Sequence, residues 1–470
     1  MLMKLNEERF FGLLIVASVL FIFTSFGFAE SGVYDRIGIF PEHGFHGAVP
    51  EENLDLFTGN LTLRFLDIYL PGPNGLDLKL WRVYNSKILR DRLPTQLWQI
   101  QAEPYSWVGM GWSMHMGRIH AYGSNTPLIE FPDGRSETAY LNLDGSACGT
   151  KDFLKYDRNN LKLYFRDGTI WTFGEVRTIT YVDHTEAVRV VTNIENSFGH
   201  SINVTYHIGL PTISRITDSL GRTIDFVTSG TTNPKLTQVN LKDAQGNFVS
   251  YSYTVETYSY GGYYKLAAFD PPELPPATFN YHNGQYDRYE LIQLNTCYGG
   301  VIEYVYDNQT FFFNVQPLDT RVVTQKKIKF SPSSDYKTWS YAYPSYQNVS
   351  EGTVAIQGPD FNTNVTYHAY TSGYPWKIGL LKERSSVDGS YIENYAWEPQ
   401  VISLLHWFVL SIDMGPVTAP LLSSLDKTRK GDAESKEEYL YERTSVKKYG
   451  LPTRVNFYAN DSLRNYKTLD

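Results

Sequence analysis

The sequence predicts an all-β protein in which antiparallel hairpins follow one another in a continuous meander and form a spiralling sheet or partial shell. Aromatic residues make up 15% of the 470 residues, with 36 Tyr and 26 Phe, which suits half-buried strands better than helices. A unit centred on Gly recurs along the middle of the chain, and Asp-Gly pairs separate alternating apolar runs. These observations together favour repeated hairpins.

Residues 1–29 are a candidate signal peptide. Lys4 and Arg9 precede the apolar run 10–28, and Gly27 and Ala29 are small residues at the spacing that signal peptidase accepts. Cleavage after Ala29 is the first interpretation. An uncleaved membrane anchor is the alternative, since the run is long enough to span a bilayer. Either way the bulk of the chain is expected outside the cytoplasm, secreted or associated with the cell envelope.

The rest of the chain divides into an N-terminal β region, residues 30–118, and an array of hairpins, residues 119–470. Four units in the array align on their glycines and place an apolar pair on one strand face three and five residues later. The gap from Gly246 to Gly299 is about twice the other gaps, so a further unit is expected there. The aligned glycines are Gly199, Gly221, Gly246 and Gly299.

Asp-Gly pairs predict tighter hairpins elsewhere in the array. Asp167-Gly168 is expected to be a two-residue type I′ turn that sets Phe165 opposite Ile170 and Tyr164 opposite Trp171. The pairs that end in Gly134 and Gly389 repeat the device. All seven turn glycines are therefore predicted to serve the fold rather than a reaction.

The unit at residues 216–226, ITDSLGRTIDF, resembles the YD repeat of Rhs proteins, teneurins and the shell-forming component of insecticidal toxin complexes. The other units keep the Gly and lose the Arg, so the repeats are degenerate. The stretches 53–86, 109–119 and 130–135 resemble, in order and spacing, the head of secreted Rhs-type proteins. Residues 438–458 resemble a further unit of that family.

The resemblance implies a bacterial, exported, non-enzymatic protein that forms part of a β shell or extracellular array. In full-length relatives such a shell encapsulates or presents a C-terminal effector. Those relatives carry more repeats, a closing motif and a toxic domain, which this sequence lacks before Asp470. The chain is therefore expected to be a truncated array or a fragment.

The sequence offers little catalytic or metal chemistry. It has no Gly-x-Ser-x-Gly elbow, and Cys148 and Cys297 stand in no thiol-enzyme signature; whether they pair is left open. His43 and His46 form a close pair without a third ligand, and Asp183 with His184 is equally incomplete. No cofactor and no metal are expected. The net charge of −8, without a basic run, makes nucleic acid an unlikely partner.

A secreted glycan-binding or glycan-hydrolysing β protein is the alternative function. The chain has 9 Trp, whose faces stack on sugar rings, and hydrolysis would need a pair of carboxylates. The candidate carboxylates are Glu130, Asp133, Asp167 and Glu175. The expected partners are therefore a surface glycan or an effector polypeptide, with a membrane contact only through the N-terminal segment.

Overall fold

The computed structural model describes residues 33–44, 46–47, 49–92, 97–141, 147–243, 245–282, 289–409, 412–430, 434–441, 452–460 and 462–468. The predicted signal peptide or anchor, residues 1–29, lies outside the described residues. Within them, no helix has the length and apolar character that a membrane crossing requires.

The described chain is built from antiparallel strands, so the predicted all-β meander is confirmed. The part before Arg118, here called the N-terminal segment, contains β1 Glu52–Asp55, β2 Asn60–Leu70, β3 Leu78–Asn85, β4 Leu89–Arg92, β5 Leu97–Ile100 and β6 Trp112–Ser113. Short 3-10 turns occur at Pro41–His43, Pro73–Gly75 and Pro375–Lys377.

The main sheet contains the other strands. They are β7 Arg118–His120, β8 Leu128–Glu130, β9 Ser136–Leu141, β10 Cys148–Thr150, β11 Lys155–Asp157, β12 Lys162–Tyr164, β13 Ile170–Thr180, β14 Thr185–Glu195, β15 Ser201–Tyr206, β16 Ile213–Asp218, β17 Thr223–Ser229, β18 Lys235–Lys242, β19 Phe248–Thr257, β20 Tyr264–Asp270, β21 Ala277–Tyr281, β22 Leu291–Asn295, β23 Val301–Phe313, β24 Gln316–Lys329, β25 Lys337–Ala342, β26 Glu351–Gln357, β27 Asn362–His368, β28 Leu381–Ser386, β29 Tyr391–Val409, β30 Ile412–Arg429, β31 Ser435–Leu440, β32 Arg454–Ala459 and β33 Ser462–Thr468.

The first eight strands of the main sheet close into a ring, because β7 pairs with both β8 and β14. Two strands, β7 and β15, pair with the same edge of β14. Its residues 188–190 pair with β7, whereas residues 193–195 pair with β15. Beyond this seam each described strand pairs with its neighbours in sequence up to β33. The sheet therefore completes one turn and then continues outward past its own first strand.

The turns of the array share one geometry. At Asp218 the backbone N–H donates to the carbonyl of Arg222 at 3.1 Å, and the N–H of Gly221 donates back to the carbonyl of Asp218 at 3.0 Å. The Asp218 carboxylate also accepts from the N–H groups of Leu220 and Arg222. The turns at Phe131, Phe165, Asn196, Asp243 and Thr296 repeat these two backbone bonds. The predicted turn glycines Gly134, Gly168, Gly199, Gly221, Gly246, Gly299 and Gly389 all have φ between 68° and 93°.

The predicted two-residue turn at Asp167-Gly168 is wrong. Phe165 pairs with Thr169 across a three-residue loop, so Tyr164 lies opposite Ile170 and Leu163 opposite Trp171. A type I turn followed by a left-handed Gly needs one residue more than a type I′ turn. The same correction applies at Gly134, where Phe131 pairs with Arg135.

The further unit expected between Gly246 and Gly299 corresponds to the hairpin of β20 and β21. Its turn, residues 271–276, contains no Gly, and Glu273 takes the positive φ of 65° instead. The unit centred on Gly246 departs from the predicted burial, because Val249 is exposed.

The core lies between the main sheet and the N-terminal segment. The order of the segment's own sheet is β1-β2-β3-β6, and its buried side chains join those of the main sheet in one continuous apolar cluster. Trp112 contacts Phe279 with ring centroids 5.0 Å apart, and Tyr34 contacts Phe311 at 4.6 Å. The face of the main sheet that packs on the segment is called the inner face below.

Gly221→Ala should lower the free energy of unfolding by about 1 kcal/mol, because its φ of 79° disfavours any residue with a Cβ. No heavy atom lies within 4 Å of the added Cβ, so the cost is conformational and not steric. Gly123→Ala is the matched control, since Gly123 has equally open surroundings and no positive φ. Urea titration of both variants measures the difference; an equal effect at the two sites would contradict the prediction.

Candidate functional site

The candidate site is the contact between the inner face and the N-terminal segment, whose turns at residues 104–110 bond β18 and β20. The Trp107 carbonyl accepts from the N–H of Leu236 at 2.8 Å, and the N–H of Met110 donates to the carbonyl of Tyr264 at 2.8 Å. The inner face thus binds this segment through main-chain hydrogen bonds.

Two glycines, one in the stretch 53–86 and one in the stretch 109–119, permit the backbones to approach this closely. A Cβ on Gly109 would lie 2.4 Å from the backbone nitrogen of Leu266. A Cβ on Gly59 would lie 2.4 Å from the side chain of Val322. Both glycines also have positive φ, so no other residue fits the space or the conformation.

The polar residues of the two N-terminal motifs bond one another. The hydroxyl of Ser86 donates to the side-chain carbonyl of Asn60 at 3.1 Å and accepts from the N–H of Leu61 at 2.8 Å. The Asn85 side chain accepts from the N–H of Lys87 at 2.9 Å. These bonds join the start of β2 to the residues that follow β3, and they orient Lys87 towards the main sheet.

Lys87 is a buried cation that contacts both the N-terminal segment and the main sheet. Its Nζ donates to the carbonyls of Thr58 and Arg321, each at 2.8 Å, and to the hydroxyl of Thr320 at 2.6 Å. All three ammonium hydrogens are thereby used. Burial lowers the pKa of Lys87 to about 8, although Asp35 and Asp55 oppose the shift.

Lys326 and Glu52 form a buried ion pair between β24 and β1. Nζ of Lys326 lies 2.5 Å from Oε1 of Glu52, and neither side chain is more than 1% exposed. The hydroxyl of Tyr304 donates to the second carboxylate oxygen at 3.1 Å. Each charged side chain therefore has its partner across the interface, with Lys326 in the main sheet and Glu52 in the N-terminal segment.

Arg82, which lies in the stretch 53–86, is equally enclosed. It forms a bidentate pair with Asp67 at 2.9 and 3.0 Å, and the hydroxyl of Tyr253 in the main sheet donates to the same carboxylate at 2.9 Å. Its guanidinium lies 4.3 Å from the ring centroid of Phe269. The guanidinium thus contributes an ion pair and a cation–π contact to the same interface.

A second ionic cluster, here called the seam cluster, lies where β7 meets β14. His120 contacts Glu186 through Nδ1 at 2.8 Å and Glu130 through Nε2 at 3.0 Å. Arg118 pairs with both Glu130 and Glu103. Burial by itself lowers the pKa of His120, but the Glu130 carboxylate and the two hydrogen bonds outweigh it and raise the pKa to about 9. His120 is therefore a cation that joins the two ends of the ring.

The four candidate carboxylates are not brought together. Glu130 belongs to the seam cluster, and Asp133 contacts Arg135 in its own turn. Asp167 accepts from the N–H of Thr169 at 2.9 Å. Glu175 pairs with a neighbouring Arg on its own strand at the surface. Three of them thus perform ordinary turn or surface roles.

The histidine-containing pairs and the two cysteines are not brought together into one site either. Nδ1 of His43 lies 2.8 Å from Asp55, whereas the ring of His46 packs edge-on against Tyr341. Asp183 and His184 bond each other at the surface. Across the residues that the structure describes, no three His, Cys, Asp or Glu side chains are placed to hold a metal ion. Cys148 and Cys297 are both free thiols.

Sequence reasoning missed the residues that hold the interface, Glu52, Asp67, Lys87 and Lys326. A signal was present at Lys326, because it alternates with the inward-facing Ile328 in β24. A charge at such a position needs a buried partner. The sequence does not identify that partner, which lies 274 residues away.

No protein-family model and no curated protein matches the chain. Among solved structures, the crystal structure of TcdB2-TccC3 is 8% identical, with a TM-score of 0.28 over 90% of this chain and 28% of that one. The Tc holotoxin pore of Photorhabdus luminescens is 9% identical, with a TM-score of 0.21 over 85% and 20%. A porin-like protein from Bacteroides uniformis is 13% identical, with a TM-score of 0.14 over 75% and 95%. The chain spans less than a third of the Tc structures.

Lys326→Met should destabilise the protein by about 3–5 kcal/mol, because it leaves the Glu52 carboxylate buried without its cation. Lys326→Met combined with Glu52→Gln should cost clearly less than the sum of the two single changes. Urea titration of the four proteins gives the coupling energy between the two sites. Additive effects would show that the pair does not hold the segment to the sheet.

His120→Gln should flatten the pH dependence of stability between about pH 6.5 and 9. A raised pKa in the folded protein stabilises it fully below the unfolded value of 6.5, and this contribution is lost as the pH rises through 9. The native protein should lose on the order of 1–3 kcal/mol over this range. Urea midpoints measured at several pH values test it, with His200→Gln as the control. An unchanged slope in His120→Gln would refute the role of the seam cluster.

Proposed function

We propose that the chain is an exported, non-enzymatic shell protein of the Rhs/YD-repeat type, whose sheet encloses or presents an effector polypeptide. The observation that carries this proposal is the inner face, which holds the N-terminal segment of its own chain through polar contacts. Main-chain hydrogen bonds to Leu236 and Tyr264 and the ion pair of Lys326 hold that segment. A surface with this chemistry suits polypeptide cargo.

The pattern of strand pairing supports an extensible shell. After the ring closes at β14, each strand pairs with its sequence neighbours, so the same turn geometry can add further strands without rearranging the earlier ones. Turns with the same geometry as the one at Asp218 recur along the array and join successive strands. Such growth by small units is the behaviour of repeat architectures.

The polar clusters are arranged in a way that stabilises the fold rather than in a way that suits catalysis. In the seam cluster the acids and bases are paired with one another, and His120 contacts two carboxylates. A hydrolase of glycans would instead place two carboxyl groups in a cleft beside exposed Trp side chains. Of the Trp residues that the structure describes, none is exposed. A surface cleft of about 360 Å³ contains Asp225 and Asp243, but its described lining includes no Trp.

The proposal predicts that an effector is captured during folding. The full chain is expressed together with the polypeptide encoded directly downstream, in the same frame or the next gene. The two should co-elute in size exclusion, and the downstream polypeptide should resist protease until the shell is denatured.

Two controls define the outcome. The downstream polypeptide expressed alone should be cut readily, and mixing the two proteins after separate folding should give no protected complex. Protection after mixing would indicate surface binding, and no protection under co-expression would overturn the shell proposal.

A further inference from the structure

A cleft of about 210 Å³, here called the rim cleft, opens where β24 to β27 meet the N-terminal segment. The turn between β26 and β27 forms its outer lip, and residues 46–47 close it from the segment. Its lining includes the side chains of His46, Lys326, Trp339, Asp360, Phe361 and Thr363. The cleft lies at the end of the inner face, away from the seam cluster.

The rim cleft has an aromatic wall. Trp339 is half-buried, and Nζ of Lys326 lies 4.9 Å from its ring centroid. Phe361 stands at the mouth with 69% of its surface exposed, which is unusual for so large an apolar side chain. A flat wall of this kind binds the apolar face of a ring.

The rim cleft also contains hydrogen-bonding groups that the protein leaves unused. Within the described residues, no partner bonds the indole N–H of Trp339, the ring nitrogens of His46 or the hydroxyl of Thr363. Burial, together with the charges of Lys326 and Arg384, lowers the pKa of His46 to about 3. His46 is therefore neutral at physiological pH and presents one donor and one acceptor.

The charges of the rim cleft are already balanced. Lys326 is paired with Glu52 at 2.5 Å, and Asp360 lies 3.6 Å from Lys337. An anionic ligand would meet Asp360, and a cationic ligand would meet the Lys326 ammonium beside the Trp339 ring. The ligand that fits is consequently uncharged.

We propose that the rim cleft binds one neutral hexopyranose ring, whose apolar face stacks on Trp339 and whose hydroxyls bond His46, Thr363 and Asp360. A pyranose combines a flat C–H face with hydroxyls around its edge, which matches an aromatic wall bordered by donors and acceptors. The ring comes either from a free monosaccharide or from the end of a glycan chain. This site is independent of the effector and gives the shell a contact with surface carbohydrate.

The test is titration of the full chain with methyl hexopyranosides, followed by saturation-transfer NMR and calorimetry. A single ring should bind in the millimolar range, and glucuronic acid should bind at least 10-fold more weakly. Trp339→Ala and Thr363→Val should each weaken binding, by at least 10-fold and about 3-fold respectively. Trp376→Phe is the control, because Trp376 is equally half-buried and lies outside the cleft.

Phe361→Ala should weaken binding a few-fold, whereas Phe330→Ala, at an exposed Phe of the preceding turn on the same edge, should not. Absence of binding at 50 mM hexopyranoside, retained binding in Trp339→Ala, or preference for glucuronic acid would each overturn the proposal. Oligosaccharides with the same terminal ring distinguish the two sources. Equal or tighter binding of the oligosaccharide identifies a glycan end, and its exclusion identifies a free sugar.

Discussion

The buried charges of the inner face are the constraint on which the rest of the structure depends. Lys326 in β24 and Lys87 in the N-terminal segment each lose their hydration on folding. Glu52 compensates Lys326 across the interface, whereas Lys87 bonds Thr320 and Arg321 across it and Thr58 of its own segment. Without Glu52 the Lys326 ammonium would be buried unpaired, and a segment docked elsewhere would leave Lys87 without two of its three acceptors. Apolar packing supplies most of the interface area, but these pairs fix one arrangement of the two bodies. Specific positioning by buried ions is the role they serve best.

The seam, where β7 pairs with β14, covers part of a strand edge that would otherwise be free in a long sheet. A strand edge left unpaired is a template for association with other chains. Here the first strand of the main sheet, β7, covers the part of β14 that the short β15 leaves open. Because the pairing is only three residues long, side chains must add to it, and the ion pair between His120 of β7 and Glu186 of β14 does so.

Local chemistry was predictable from the sequence, whereas long-range chemistry was not. The turn at Asp218 follows from its own residues, since the carboxylate bonds the loop N–H groups and Gly supplies the positive φ. The turn at Gly168 was placed correctly but with one residue too few, because Asp-Gly suits two loop lengths and packing of Trp171 on Phe165 decides between them. The main-sheet partners of Glu52 and Lys87 are more than two hundred residues away, and no local pattern specifies them. The rim cleft likewise exists only once β24 to β27 meet residues 46–47.

The 274-residue separation of Glu52 and Lys326 has a consequence for how the chain is made. The N-terminal segment is synthesised before the main sheet, and its partner strand β24 follows much later. The contact order of the fold is therefore high, and the entropy of closing the long loop must be lost before the pairing adds any stability. We therefore expect folding to be slow, with apolar surface of the nascent chain exposed for a long time. Transiently exposed apolar surface and unpaired strand edges make such a chain prone to aggregation until those strands have paired.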